Sequence, residues 1–295
     1  MKTLKIASQT LNWGERTYVM GILNATPDSF SGDGLIPPLL SGRAREGQAL
    51  AQARQFVDIG ADILDVGGES TRPGSKPVDA DEEMWRVIPI IRAIAEEMPE
   101  ILISVDTYKA SVAEAALNAG AHIVNDVWGL RADPELASVV ATFGCPVILM
   151  HNRSNPASVE VREQLGNAYI GAEYDDLLEE VKAELLESIQ IAEQAGVRSE
   201  SIILDPGIGF GKTVTQNLEL INRLDEIRSL GYPVLLGPSR KSFIGYTLDL
   251  PADQRVEGTA ASVAIGISRG ADIIRVHDVK EMTRIARMTD AIVRR

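Results

Sequence analysis

Cysteine is almost missing from this chain: Cys145 is the only one among 295 residues. An internal disulfide is therefore impossible, and the composition suits the reducing cytoplasm. No apolar run approaches the roughly 20 residues of a membrane span, and Met1 to Tyr18 lacks the apolar core of a signal peptide. The sequence thus predicts a protein that is neither secreted nor membrane-embedded. Positive charge is scarce as well. Lys and Arg number 29 against 42 Asp and Glu, a net charge of −13. That balance argues against a nucleic-acid partner, because phosphate backbones attract a basic face. An anionic small molecule stays open, provided local basic residues capture it. No low-complexity tract and no Pro-, Gly- and Ser-rich linker divides the chain, so one domain over 1–295 is expected.

What the chain does contain is a recurring cycle: a helical stretch, a glycine, then a short run of Val, Ile and Leu. Gly60, Gly120, Gly144, Gly196, Gly231 and Gly270 each stand just before such a run, where a helix exit often turns left-handed. Pro99 ends another helix by removing a donor. The runs predict strands at Tyr18–Asn24, Asp62–Val66, Ile101–Asp106, His122–Asp126, Pro146–His151, Ser201–Asp205, Pro233–Gly237 and Asp272–Val276. Most are continuously apolar, as parallel strands covered on both faces should be. Between them lie amphipathic helices, with Leu178, Val181, Leu185 and Ile189 on one stripe and Met282, Ile285 and Ile292 on another. Eight such units favour a (β/α)8 TIM barrel, with a doubly wound open sheet as the alternative. Residues 1–17, with Trp13 and Gly14 at a turn, read as a short N-terminal hairpin closing the barrel floor.

Polar residues fall in a telling place. The predicted strands end in Asn24, Asp106, Asn125, Asp205 and Arg275, with Glu69 and Arg72 after the second strand and Arg240 and Lys241 after the seventh. Helix capping accounts for residues such as Ser111 and Asp133, but not for an acid or amide set directly against so many apolar strands. Barrel enzymes build their sites on this rim. Two loops, Asn24–Gly34 and Gly67–Ser75, carry charge that a mere connector does not need, and read as lids. The segment from Asp205 to Thr213 looks like a phosphate-binding loop but fails the test. Gly207 to Gly211 leaves three intervening residues where the Walker pattern needs four, and its glycines lack dinucleotide spacing.

Taken in order, MGILNATPDSFSGDG (20–34), DVGGESTRPGS (65–75), SVDT (104–107), IVNDV (123–127), LDPGIGFGKT (204–213), GPSRKSFIG (237–245) and RVHDV (275–279) resemble the motifs of the dihydropteroate synthase family. The resemblance implies a magnesium-dependent transferase of folate biosynthesis. It joins 6-hydroxymethyl-7,8-dihydropterin pyrophosphate to 4-aminobenzoate, releasing pyrophosphate by an SN1-like displacement. On the matching positions, Asp106, Asn125, Asp205 and Lys241 are the pterin residues, with Met150 and Phe210 either covering the ring or serving as ordinary core. Asn24, Arg275 and His277 match the pyrophosphate site, with Asn24 the magnesium contact. The reacting groups are expected to include Asp106, Lys241, Arg275 and His277. Thr71, Arg72, Pro73, Ser242 and Asp33 match the 4-aminobenzoate and lid positions, where sulfonamides should compete. The chemistry agrees: a carboxylate accepts paired hydrogen bonds from a pterin's amidine-like edge, an amide both donates and accepts, and magnesium favours phosphate oxygens.

Two departures stand out. The first loop reads Ser-Phe-Ser-Gly32-Asp33-Gly34 rather than the family's SFSDGG, so either Asp28 or Asp33 fills the loop acid's role. After the fifth strand, His151-Asn152-Arg153-Ser154-Asn155 replaces the usual His-Met-Gln-Gly-Thr, and is expected to lie at the edge of the site. A homodimer is a further implication of the resemblance. The competing readings are a folate- or pterin-binding methyltransferase domain and a non-catalytic pterin-binding paralogue.

Overall fold

The computed structural model describes residues 3–26, 42–70, 75, 77–155, 159–162, 166–169 and 171–294. Two antiparallel strands come first, β1 (Thr3–Ile6) and β2 (Gln9–Asn12). Eight parallel strands then share one sheet: β3 (Tyr18–Asn24), β4 (Ile63–Gly67), β5 (Leu102–Asp106), β6 (Ile123–Asp126), β7 (Val147–Met150), β10 (Ile202–Asp205), β11 (Leu235–Leu236) and β12 (Ile273–Val276). Helices alternate with them: α1 (Gly42–Asp58), α2 (Ala80–Glu97), α3 (Ala110–Asn118), α4 (Leu136–Phe143), α5 (Leu177–Gln194), α6 (Val214–Asn222), α7 (Leu224–Arg228), α8 (Ser242–Leu248), α9 (Val256–Ser268) and α10 (Val279–Val293). The strand order is β10-β7-β6-β5-β4-β3-β12-β11. A parallel bridge between Leu204 and Val234 joins its two ends, and the Leu204 amide donates to the Pro233 carbonyl at 2.9 Å. The sheet is thereby a closed (β/α)8 barrel, and the open-sheet alternative falls.

Period-two alternation sends every second strand residue into the barrel. Met20, Ile63, Leu102, Ile123, Ile148, Ile203, Leu235 and Ile273 form one buried layer there, and Leu4, Ile6, Leu11 and Trp13 of the N-terminal hairpin pack into it. The other strand face, with Val19, Leu64, Ile103 and Val124, meets the helices in a separate and larger core. So the hairpin does close the floor. Its reversal lies at Ala7–Ser8, where Ala7 takes a φ of 51°, while Gly14 (φ 85°) turns the chain from β2 into β3. Trp13 meets Tyr18 edge-on at 5.6 Å between centroids, and the Asn12 amide donates to the Tyr18 hydroxyl at 2.6 Å. Trp13→Ala should lower stability by about 3–5 kcal/mol, as loss of a buried indole does. Its KM values should stay put, because the floor is remote from the strand ends. Denaturant unfolding beside steady-state kinetics checks both halves.

The six helix-exit glycines all adopt positive φ, from 62° to 112°. Leu178, Val181, Leu185 and Ile189 are buried, as is Met282, whereas Ile292 is 58% exposed. The last stripe therefore stops short of Ile292, which sits on the outer side of the final turn. Asp133 serves two helix starts, accepting from the Glu135 amide before α4 at 3.0 Å and from the Ala110 amide of α3 at 2.8 Å; Ser111 lies inside α3. Between β7 and α5, β8 (Val159–Arg162) and β9 (Gly166–Tyr169) pair antiparallel, a hairpin inside a stretch whose polar composition reads as loop. Cys145 is buried, and burial pushes its thiol up to about 11, an inert group.

Candidate active site

Register assembles the site. Asn24 pairs with Gly67, Gly67 with Asp106, and Asp106 with Asn125, so one rung crosses the carboxyl ends of β3, β4, β5 and β6. Alternation turns these residues inward, above the apolar layer of the floor. One step deeper on β4 sits Asp65, fully buried. Its Oδ2 accepts from Arg275 Nε on β12 at 2.6 Å and from Asn125 Nδ2 on β6 at 3.2 Å. Each of those strands lies two places from β4, on opposite sides, so the three side chains can meet only through the barrel interior. Arg275 also donates through Nη2 to Asp106 Oδ2 at 2.5 Å. A single guanidinium thus spans two carboxylates at the mouth, the fork geometry for which arginine is suited.

These contacts set the charges. Burial pushes the Asp106 carboxyl up to about 7 against the pull of Arg275, with Asp65 adding to the rise. Burial works against the Arg275 charge too, yet Asp65 and Asp106 outweigh it and hold the guanidinium above its ordinary range. On β10, burial raises Asp205 despite Lys241 and the Gly207 amide, which donates to Asp205 Oδ1 at 2.7 Å. Burial pushes Lys241 down to about 8 against the attraction of Asp205. Its Nζ donates to the Ile208 carbonyl and lies 4.5 Å from the Phe210 ring centroid. Phe210, Met150 and Val127 form a small apolar cluster apart from the two larger cores, flanked by Tyr108 and Trp128. An apolar wall and a ring of hydrogen-bonding groups therefore share the mouth.

The loops after β11 and β12 are clipped together. Arg240, whose φ is 55°, grips Asp278 with Nε and Nη2 at 2.9 and 2.5 Å, and His277 Nδ1 lies 3.0 Å from Ser239 Oγ. That pairing brings Lys241, Ser242 at the start of α8, and His277 onto adjacent loops. Thr71, Arg72, Pro73 and both first-loop acids, Asp28 and Asp33, lie outside the described residues. Glu69, which bounds the second loop, accepts from Lys109 Nζ at 2.5 Å, from the Tyr108 hydroxyl at 3.1 Å and from the Val78 amide at 3.2 Å. Asp126, next to Asn125, faces the other way and accepts from the Trp128 and Leu130 amides at 2.8 and 2.5 Å, a structural role.

Three residues escape the strand-end reading. Asp65 stands mid-strand, and its signal was an acid inside an otherwise apolar inward register. Lys212 and His151 are both buried and in contact, Lys212 Nζ to His151 Nδ1 at 2.9 Å. His151, at the end of β7, thus packs directly beneath the loop that follows β10. Among the described residues no three His, Cys, Asp or Glu side chains converge as a metal centre.

Comparison with known proteins gives a consistent result. The family model for pterin binding enzymes matches residues 20–277. Dihydropteroate synthase of Clostridium beijerinckii is 51% identical over 293 residues, 99% of this chain and 100% of that protein. A crystal structure of the Clostridium difficile dihydropteroate synthase, obtained in the presence of pteroic acid, superposes with a TM-score of 0.84 at 49% identity, covering 96% of this chain and 99% of that one. The Xanthomonas albilineans enzyme with 4-aminobenzoic acid superposes with a TM-score of 0.85 at 38% identity, covering 99% and 98%.

Proposed function

The chain belongs to the dihydropteroate synthase family of pterin-binding enzymes, and from that premise we propose how its strand-end cluster carries out the condensation. It is a transferase of folate biosynthesis; the methyltransferase alternative is set aside by relatives that are synthases over nearly their full length. What carries the assignment of roles is the barrel mouth itself, where Arg275 joins Asp65 and Asp106 beside Asn125.

Asp205 takes the amidine-like edge of the pterin. One of its oxygens already holds Gly207, which fixes the carboxylate's plane for paired acceptance. Asn125 commits its Nδ2 to Asp65, so its carbonyl oxygen accepts from the ring. Lys241 reaches the ring carbonyl, and Met150 and Phe210 cover the ring faces. Asp65 positions Arg275 and Asn125. At the diphosphate end, Arg275 and His277 neutralise the leaving group. The C–O bond at the exocyclic methylene breaks, the diphosphate departs with the electron pair, and the electron-rich ring spreads the positive charge beside Asp106. The arylamine nitrogen of 4-aminobenzoate then bonds to that carbon and releases a proton. Neutral at pH 7, this amine demands no strong base, and electrostatic preorganisation supplies the rate.

Magnesium fits this donor set in one way. Asn24 offers a hard, neutral oxygen on the same rung as Asp106, so the ion would rely on diphosphate oxygens and water for its other ligands and would supply charge neutralisation there. Thr71, Arg72, Pro73 and Ser242 are assigned to 4-aminobenzoate, with Asp28 or Asp33 contributing from the first loop; sulfonamides would compete with that substrate. A homodimer is supported by Ile265 on α9 and by Met288 and Ile292 on α10, apolar side chains 48%, 63% and 58% exposed on two helices that pack together. A lone buried thiol agrees with the cytoplasm. Mixing the protein with both substrates and magnesium should release pyrophosphate in step with dihydropteroate. Tight pterin binding without release would instead mark a non-catalytic paralogue.

A further inference from the structure

The phosphate-loop lookalike after β10 has a lysine that the ring-binding scheme does not use. Lys212 is 3% exposed, and its Nζ donates to His151 Nδ1 at 2.9 Å, to the Gly207 carbonyl at 2.9 Å and to the Phe210 carbonyl at 3.0 Å. All three N–H bonds of the ammonium are used. With Nδ1 accepting, the His151 proton belongs on Nε2, which lies 3.3 Å from Glu184 Oε2. Glu184 in turn is gripped by Arg131 at 2.9 Å and Arg153 at 2.5 Å. Burial pushes Lys212 down to about 7 and His151 down to about 4. A charge held in so dry a place is costly, and its three hydrogen bonds offset that cost only where they are.

Position is what the loop geometry supplies. Gly207, Gly209 and Gly211 take φ values of 71°, 85° and 68°, so the chain curls around the ammonium of its own Lys212. The loop rests directly on the end of β7: a Cβ at Gly207 would lie 1.8 Å from the His151 carbonyl oxygen. The two carbonyls held by Lys212 bracket Ile208, whose own carbonyl receives Lys241. The Gly207 amide orients Asp205 at 2.7 Å, and the Phe210 ring lies under the Lys241 ammonium. Asp205 and Lys241 are therefore held by peptide units directly next to those that one buried ammonium pins from behind, and the Phe210 side chain stands on a residue whose own carbonyl is pinned.

We propose that Lys212 is a positioning residue for the pterin: anchored on His151, it fixes the Asp205–Lys212 loop so that Asp205, Phe210 and Lys241 meet the ring together. The proposal rests on the ring-binding reading of those three residues. Lys212→Met keeps length and removes the donors; Lys212→Gln keeps a single amide group. Per folded site, the Met variant should raise KM for the pterin pyrophosphate roughly tenfold while kcat changes less than about threefold, the pattern of lost uniform binding. Lys212→Gln should fall between it and the parent. A merely structural lysine would give a lower Tm and fewer active sites at unchanged KM, which overturns the proposal, as does failure of both variants to fold. Asp205→Asn, run alongside, separates the two layers. If it binds pterin normally, the ring-site reading fails and takes this proposal with it. If it is impaired while both Lys212 variants keep KM, only the role of Lys212 is lost.

Discussion

Asp205→Asn should weaken pterin binding by roughly a hundredfold or more, measured by isothermal titration with a 6-hydroxymethylpterin ligand. The replacement is nearly isosteric, so the Gly207 amide that now donates to Oδ1 at 2.7 Å can keep an oxygen acceptor. What changes is the ring edge: a pterin presents adjacent N–H donors, and an amide meets them with one acceptor and one opposing donor. Each charge-assisted hydrogen bond is worth about 1.5–3 kcal/mol, and a buried donor left unmatched adds its own penalty. The neighbouring Lys241, held near by the Asp205 charge, loses its counter-ion as well. Undiminished binding in the variant would remove Asp205 from the ring site.

Arg275→Met carries the second large effect, on stability and chemistry at once. The guanidinium pairs with Asp65 at 2.6 Å and Asp106 at 2.5 Å in the barrel mouth. Removing one partner of a buried pair destabilises by about 3–5 kcal/mol, because the charge left behind is uncompensated. The pH dependence has a definite sign. Asp106 holds its proton up to about 7 in the folded chain, whereas an unfolded aspartate loses it near pH ~4. Its contribution to stability is therefore present below the unfolded value and lost as pH rises through the folded one. Without Arg275 the folded carboxyl moves still higher, so parent and variant lose stability alike up to about 7 and the variant's deficit should widen only above about 7, where the parent's carboxylate is ionised and paired. Thermal melts of parent and variant below and above that value read the deficit directly, and a constant difference would contradict the pairing. Pyrophosphate release should fall by about two orders of magnitude or more in the same variant, since a charge aimed at the leaving group is lost.

Much of this architecture is legible before any coordinates. Continuous apolar runs specify the barrel strands, and the observed bounds differ from them by only a few residues, most at β11, where the ladder shortens to Leu235–Leu236. Helix-exit glycines work because positive φ is a local property. Strand-end polarity finds Asp106, Asn125, Asp205 and Arg275, but it cannot tell inward Asn125 from outward Asp126; alternation across the closed sheet decides that. Asp65 is hidden because its partners lie 60 and 210 residues away. Lys212 is hidden for a different reason. Its glycine-rich setting suggests a ligand loop, whereas the lysine turns inward to hold the loop's own carbonyls. Polar composition likewise conceals the β8–β9 hairpin, and a helical stripe overextends to Ile292 because periodicity does not reveal where a helix leaves the barrel.

The central claim is that residues scattered from Asn24 to His277 grip one bicyclic ring and its diphosphate tail in a single mouth. A crystal structure with 6-hydroxymethylpterin diphosphate and magnesium tests it most directly. The account predicts the ring edge on Asp205 and Asn125, Lys241 toward the ring carbonyl, and the diphosphate between Asn24, Arg275 and His277. A ring seated elsewhere, or a diphosphate that leaves the Arg275 side of the mouth empty, would contradict it.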